Sequence, residues 1–148
     1  MTPTTHDFLR ADARHLASVP DNTVELVVTS PPYPMIAMWD EQLAHMSPDA
    51  AKALEHEDGD AAFEAMHRLL DDAWRECARV VRDGGFVCIN VGDAVRTIGG
   101  RFRLFANHAR ILGSLAAHGL TPLPLVVWRK PTNAPNKFMG SGMLPGGA

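Results

Sequence analysis

The chain has 148 residues, with 14 Lys plus Arg against 17 Asp plus Glu and a formal net charge of −3. Hydrophobic residues at 46% and charged residues at 21% belong to a folding chain and exclude disorder as its overall state. Membrane and secretory classes are not expected: no apolar run approaches the ~20 residues of a span, and Met1 to Arg10 has no signal-peptide pattern. Cys77 and Cys88 are too few for a disulfide framework or a four-thiolate zinc site, so a single reduced, cytoplasmic domain is the expectation.

The charge is unevenly spread. Every acid lies at or before Asp93, whereas Arg96, Arg101, Arg103, Arg110, Arg129, Lys130 and Lys137 follow it. Such polarity suggests a basic end that meets an anion such as a nucleic acid backbone; chance clustering on a solvated surface is the alternative.

In chain order, Asp7 to Leu16 permits a short strand leading into a helical turn. Asp21-Asn22 signals a turn, and Val24 to Thr29 follows as a β-branched, almost wholly apolar run suited to a parallel sheet. Ser30-Pro31-Pro32-Tyr33-Pro34 ends that strand, because proline cannot donate to a ladder. Residues 35–58 read as helical pieces and loop. Over residues 60–82, Phe63, Met66, His67, Leu70, Trp74, Cys77 and Val81 recur every three or four positions and mark one face of a helix. Asp60 is its expected cap and Asp83-Gly84-Gly85 its stop. His67 on that face is a core residue by this reading, and both cysteines are structural. Phe86 to Val91 is a second strand, Phe105 to His118 a second helix, and Leu120 to Trp128 a third strand despite Pro122 and Pro124. Residues 131–148 are a Gly/Pro-rich loop. The alternation predicts an α/β fold with a mostly parallel sheet and helices on its faces. Ligands then gather at the carboxyl ends of the strands, where Ser30 to Pro34 and Gly92-Asp93 stand.

The first of those loops carries the chemistry. Two prolines stiffen it and leave carbonyls without internal partners, Ser30 adds a hydroxyl and Tyr33 a flat ring. A planar base can stack on Tyr33 while its exocyclic amine donates to Ser30 and the Pro31 carbonyl, which frees the nitrogen lone pair for an incoming methyl group. A plain proline-rich turn with Tyr33 on its rim is the alternative. The cluster Glu55-His56-Glu57-Asp58 with Asp60 has no recognised ligand spacing, so no metal is expected.

Val27 to Tyr33 resembles the catalytic motif of amino-group DNA methyltransferases, in the Ser-Pro-Pro-Tyr spelling commonest among the cytosine-N4 type. Asp12 to Arg14, Pro20 to Leu26, Val81 to Asp93, Val127 to Lys130 and Asn133 to Leu144 resemble the family in the same order. The resemblance implies a methyltransferase-like (Rossmann-like) fold, at least in part, and methyl transfer from S-adenosylmethionine to the exocyclic amine of a flipped base in DNA, as in restriction–modification systems. Adenine-N6 methylation or a non-catalytic DNA-binding remnant or subunit are the alternatives. Residue by residue, it implies that Ser30, Pro31, Pro32 and Tyr33 hold the base and that Asp12 lies near the cofactor's adenosine end. Asp93 and Trp128 would flank the base pocket, and Arg129 and Lys130 would meet the DNA backbone. For Asp93 a turn or cap role is the alternative, and for Trp128 an ordinary edge-strand aromatic.

Phe138-Met139-Gly140-Ser141-Gly142 has the lettering of the family's cofactor loop, but a polar segment precedes it and Pro145 follows, where a strand and a helix are needed. With the catalytic motif early in the chain, the resemblance is to the circularly permuted class, whose cofactor half comes later. The expectation is therefore residues 1–130 as the catalytic part, residues 131–148 leading into missing sequence, and a second chain as one possible source of the remainder.

Overall fold

In the computed structural model, residues 3–128 are described. Strand β1 (Val24–Thr29) pairs in parallel with β2 (Val81–Ile89), Leu26 opposite Phe86 and Val28 opposite Cys88. The sequence therefore bounds β1 correctly. β2 begins five residues before the expected Phe86, because Asp83-Gly84-Gly85 does not stop a helix but forms an irregularity inside the strand. Gly84 has φ +74°, and a Cβ on Gly85 would stand 2.9 Å from the Glu25 carbonyl, so the neighbouring strand leaves no room for a side chain there.

Between the strands lie a 3-10 turn (Ala37–Trp39) and helices α1 (Asp40–Met46), α2 (Pro48–Glu55) and α3 (Gly59–Val80). Ser47 caps α2 by accepting from Ala50 N at 3.2 Å, with Pro48 in the first turn where its missing N–H costs nothing. The cap of α3 is Asp58, which accepts from Ala61 N at 3.0 Å, and not the expected Asp60, which pairs with Arg103. The helix ends at Val80, where Val81 turns extended and enters β2.

A hairpin that the sequence reading missed follows β2. Strands β3 (Ala94–Ile98) and β4 (Arg101–Phe105) pair antiparallel through Gly99-Gly100, both at positive φ, as a two-residue hairpin turn requires. Helix α4 (Asn107–Ala117) then starts two residues later than expected, since Phe105 belongs to β4. Leu120 to Trp128 is not a strand: it joins no ladder, and Leu123, Leu125, Val126 and Val127 are exposed. Pro122 and Pro124 remove two of the donors that a ladder there would use. The strand expected in residues 7–16 is absent too, replaced by a turn at Ala13-Arg14.

Helix α3 runs through both cores. Its first half, with Ala62, Ala65 and Met66, packs with Met35, Leu43, Ala50, Ala94 and Phe105. Its second half, with Leu70, Trp74 and Cys77, packs with Ile111 and Leu115 of α4 under Val27, Val87 and Ile89 of the parallel pair. The opposite sheet face, carrying Leu26, Val28, Phe86 and Cys88, is exposed. Cys88 is thus on an open face, while Cys77 is in the core. The architecture is α/β, with the carboxyl ends of β1 and β2 side by side.

Candidate functional site

Ser30 to Tyr33 leaves the carboxyl end of β1 and lies next to the residues that leave β2. Asn90 continues the parallel ladder, its N–H donating to Thr29 O at 2.9 Å, and its side-chain Nδ2 donates to the Tyr33 hydroxyl at 3.1 Å. The same hydroxyl pairs with Ser30 Oγ at 2.9 Å. Ser30 is exposed, Pro31 buried, and Pro32 and Tyr33 half-buried. A Cβ added at Gly92 would stand 3.5 Å from Tyr33 Cε2, so the Gly92 backbone runs along the ring's edge. The motif residues therefore form one assembly: a rooted proline, an anchored aromatic ring and an accessible hydroxyl.

The second loop is fixed by α4. Asp93 accepts from the His108 backbone N–H at 3.1 Å and from His108 Nδ1 at 2.7 and 2.8 Å. An anion beside the free N–H groups of a helix start is favourably placed. Asp93 thus ties the second loop to the first turn of α4, one residue from the glycine that borders Tyr33. Asn107, fully buried, donates through Nδ2 to the carbonyls of Pro34 (3.0 Å) and Gly92 (2.9 Å), and its Oδ1 faces His67 Nε2 at 3.0 Å. His67 is fully buried, as the helical face implied, and burial holds its imidazole down at about 4. Asn90, Asn107 and His108 were not singled out from the sequence. For Asn90, a polar residue closing an apolar strand at its ligand-facing end is a usable signal; for Asn107 no local signal exists.

Asp12 stands apart, on the exposed N-terminal segment. Arg14 engages both carboxylate oxygens through Nε and Nη2 and adds its backbone N–H, which holds the Asp12 carboxyl well below the usual range. Trp128, 67% exposed, ends the described residues. Arg129, Lys130 and the Phe138 to Gly142 loop lie outside them.

Part of the basic segment is answered from within. Arg96 pairs with Asp40, Arg103 with Asp60, and Arg110 with both Glu64 and Asp71. At these three positions the charge polarity of the sequence is folded back on itself; Lys137, like Arg129 and Lys130, lies outside the described residues. Among the described residues no group of three or more His, Cys, Asp or Glu is gathered to hold a metal ion, and no helix is long and apolar enough to cross a membrane.

The sequence profile of a DNA methylase family, covering N6 and N4 enzymes, matches residues 24–142. The type II methyltransferase M.MjaI of Methanocaldococcus jannaschii is 42% identical over 153 residues, covering 96% of this chain and 50% of that protein. M.MthZI of Methanothermobacter thermautotrophicus, also a type II methyltransferase, is 43% identical over 143 residues, covering 96% and 40%. The chain thus spans about half the length of these relatives or less. Among solved structures, TTHA0409 of Thermus thermophilus, assigned as a DNA modification methylase, superposes with a TM-score of 0.51 at 30% identity, over 86% of this chain and 57% of that one. A second structure of TTHA0409, complexed with S-adenosyl-L-methionine, matches with the same score and identity. A profile match over most of its length, joined by relatives of this identity, makes the chain a member of the amino-group (N6/N4) DNA methylase family.

Proposed function

We propose that the chain carries the base-holding part of a DNA methyltransferase acting on the exocyclic amine of a base turned out of the duplex, cytosine N4 in the first instance. The observation that carries this reading is the Ser30 to Tyr33 loop at the carboxyl end of β1, with Tyr33 tied to Asn90 and Ser30 and edged by Gly92. A hydroxyl has two lone pairs and one proton, so Ser30 keeps accepting capacity beyond its bond to Tyr33. Ser30 Oγ and the Pro31 carbonyl accept from the amine, Pro32 keeps the loop stiff, and the Tyr33 ring stacks on the base. Accepting both N–H groups draws the amine toward tetrahedral geometry and leaves its lone pair available. The contribution is orientation and electrostatics, with no shifted acid or base required. Asp93 and Trp128 border the base in this reading, and Arg129 and Lys130 meet phosphates.

S-adenosylmethionine is the methyl donor that the reading implies, supplying an electrophilic methyl group on a sulfonium sulfur. Asp12, assigned to the adenosine end, has both oxygens engaged by Arg14. We assign the cradle to sequence other than these 148 residues, in a longer form of the protein or in a second chain. The greater length of the relatives and the S-adenosyl-L-methionine complex of TTHA0409 support that assignment.

The test has two arms. Calorimetry of the 148-residue chain with S-adenosylmethionine is expected to show no stoichiometric binding; micromolar binding would overturn the assignment of the cradle. The chain supplemented with the remaining half of a relative, fused or separate, is then given duplex DNA and methyl-labelled S-adenosylmethionine. Label in N4-methylcytosine supports the reading, label in N6-methyladenine moves it to the other amine, and no label sinks it.

A further inference from the structure

We infer that Asn107 is a positioning residue for the base-holding loop, clamping the chain just after Tyr33 to the chain beside the Tyr33 ring; the inference rests on the function proposed above. Asn107 is the first residue of α4 and fully buried, yet its side chain does not cap its own helix. Its two N–H donors go to the carbonyls of Pro34 and Gly92, one from each loop at the carboxyl ends of β1 and β2. Pro34 directly follows Tyr33, and Gly92 lines the ring. One amide thus fixes the spacing between the two backbones that hold the ring.

Two further features fit a clamp. Met35, next to Pro34, is buried with φ +65°, a left-handed conformation that a residue with a side chain keeps only when its surroundings hold it. His67 fixes which way the amide points: its Nε2 faces Oδ1, so it must carry the proton and donate. The tautomer with the proton on Nδ1 would set two acceptors against each other and favour a flipped amide, with Oδ1 against the two carbonyls. His67 Nδ1 is buried without a partner, as the Nε2–H tautomer of a neutral imidazole leaves it.

Tyr33 is the only tyrosine in the chain, so 3-fluorotyrosine incorporated in the full 148-residue protein gives one fluorine resonance from the site. Asn107→Asp keeps the acceptor toward His67 but, ionised, loses both donors; Asn107→Ser keeps at most one; His67→Leu removes the donor that orients the amide. Each is expected to move or broaden the resonance while circular dichroism and a cooperative thermal transition persist, whereas His67→Gln, which still presents an N–H, leaves it near the parent position. In a supplemented active enzyme Asn107→Asp is expected to lower kcat by about tenfold or more with KM for DNA roughly unchanged. A resonance unmoved in all three disruptive variants overturns the inference. So does the unfolding of all three, which would make the amide a requirement of folding alone. A moved resonance in an enzyme that transfers no methyl group leaves the clamp standing and removes the function, so the two failures are distinguishable.

Discussion

Arg96 on β3 donates from Nη1 to Asp40 Oδ2 at 2.6 Å, joining the acid-free C-terminal stretch of the sequence to the first residue of α1. Both side chains are about three-quarters covered, and the other oxygen of Asp40 is buried without a hydrogen-bond partner. Coverage of this degree makes the pair more than a surface ornament, because whichever partner remains after a substitution keeps part of its desolvation cost.

The first prediction concerns this pair. Arg96→Met should cost about 2 kcal/mol, less than the loss for a fully buried ion pair, because it strands the Asp40 carboxylate. Asp40→Asn should cost less, since it neutralises the carboxylate whose second oxygen already lacks a partner. Urea unfolding of both variants checks the order. Equal losses would mean that the unpartnered oxygen is solvated in solution.

His67 makes folding sensitive to acid. Burial depresses its imidazole to about 4; Asn107 and the acids Glu64 and Asp71 oppose that shift, and Arg110 adds to it. An unfolded chain takes up this proton near 6.5, a folded one only near 4, so the unfolded state binds more protons between those values. Stability from this residue is therefore complete above pH 6.5 and falls as pH drops toward 4, by about 2 kcal/mol near pH 5. Urea midpoints at about pH 7 and about pH 5 measure it. His67→Gln should lack this component of the loss, and an identical loss in that variant would assign it to the carboxylates.

Tyr33 separates ring from hydroxyl. In a supplemented active enzyme, Tyr33→Phe removes the bonds to Ser30 and Asn90 but retains the ring, and most activity should survive. Tyr33→Ala should lose ~1–3 kcal/mol of stacking. Equal methylation by the alanine variant and the parent would rule stacking out.

The open sheet face predicts self-association of the isolated chain. Leu26 and Phe86 are register partners, 53% and 54% exposed, beside Val28 and Cys88 on the same face. Parallel sheets are ordinarily covered on both faces, and apolar patches of this kind seek partners. Sedimentation velocity at rising concentration should show association, reduced in the Leu26→Lys, Phe86→Lys double variant with little change in melting temperature. Association unchanged by the two charges would locate the contact elsewhere.

Much of the site was legible in the sequence because its signals are local. An unbroken apolar run gives β1 its bounds, consecutive prolines end it, and a spacing of three and four gives α3 the face that buries Leu70, Trp74 and Cys77. The Gly99-Gly100 turn was also a local signal, but the strands on either side of it are only five residues long each, short for a periodic pattern to stand out. The remainder was decided by partners far apart in sequence. Asn107 reaches back 73 residues to Pro34 and 40 to His67, and Arg96 and Arg110 find acids 56 and 39 residues earlier. A polar side chain carries no mark of whether water or a distant buried group will satisfy it. Only the packing of α3 against α4, and the seating of Arg96 beside Asp40 at the start of α1, removes the water, and with it the choice.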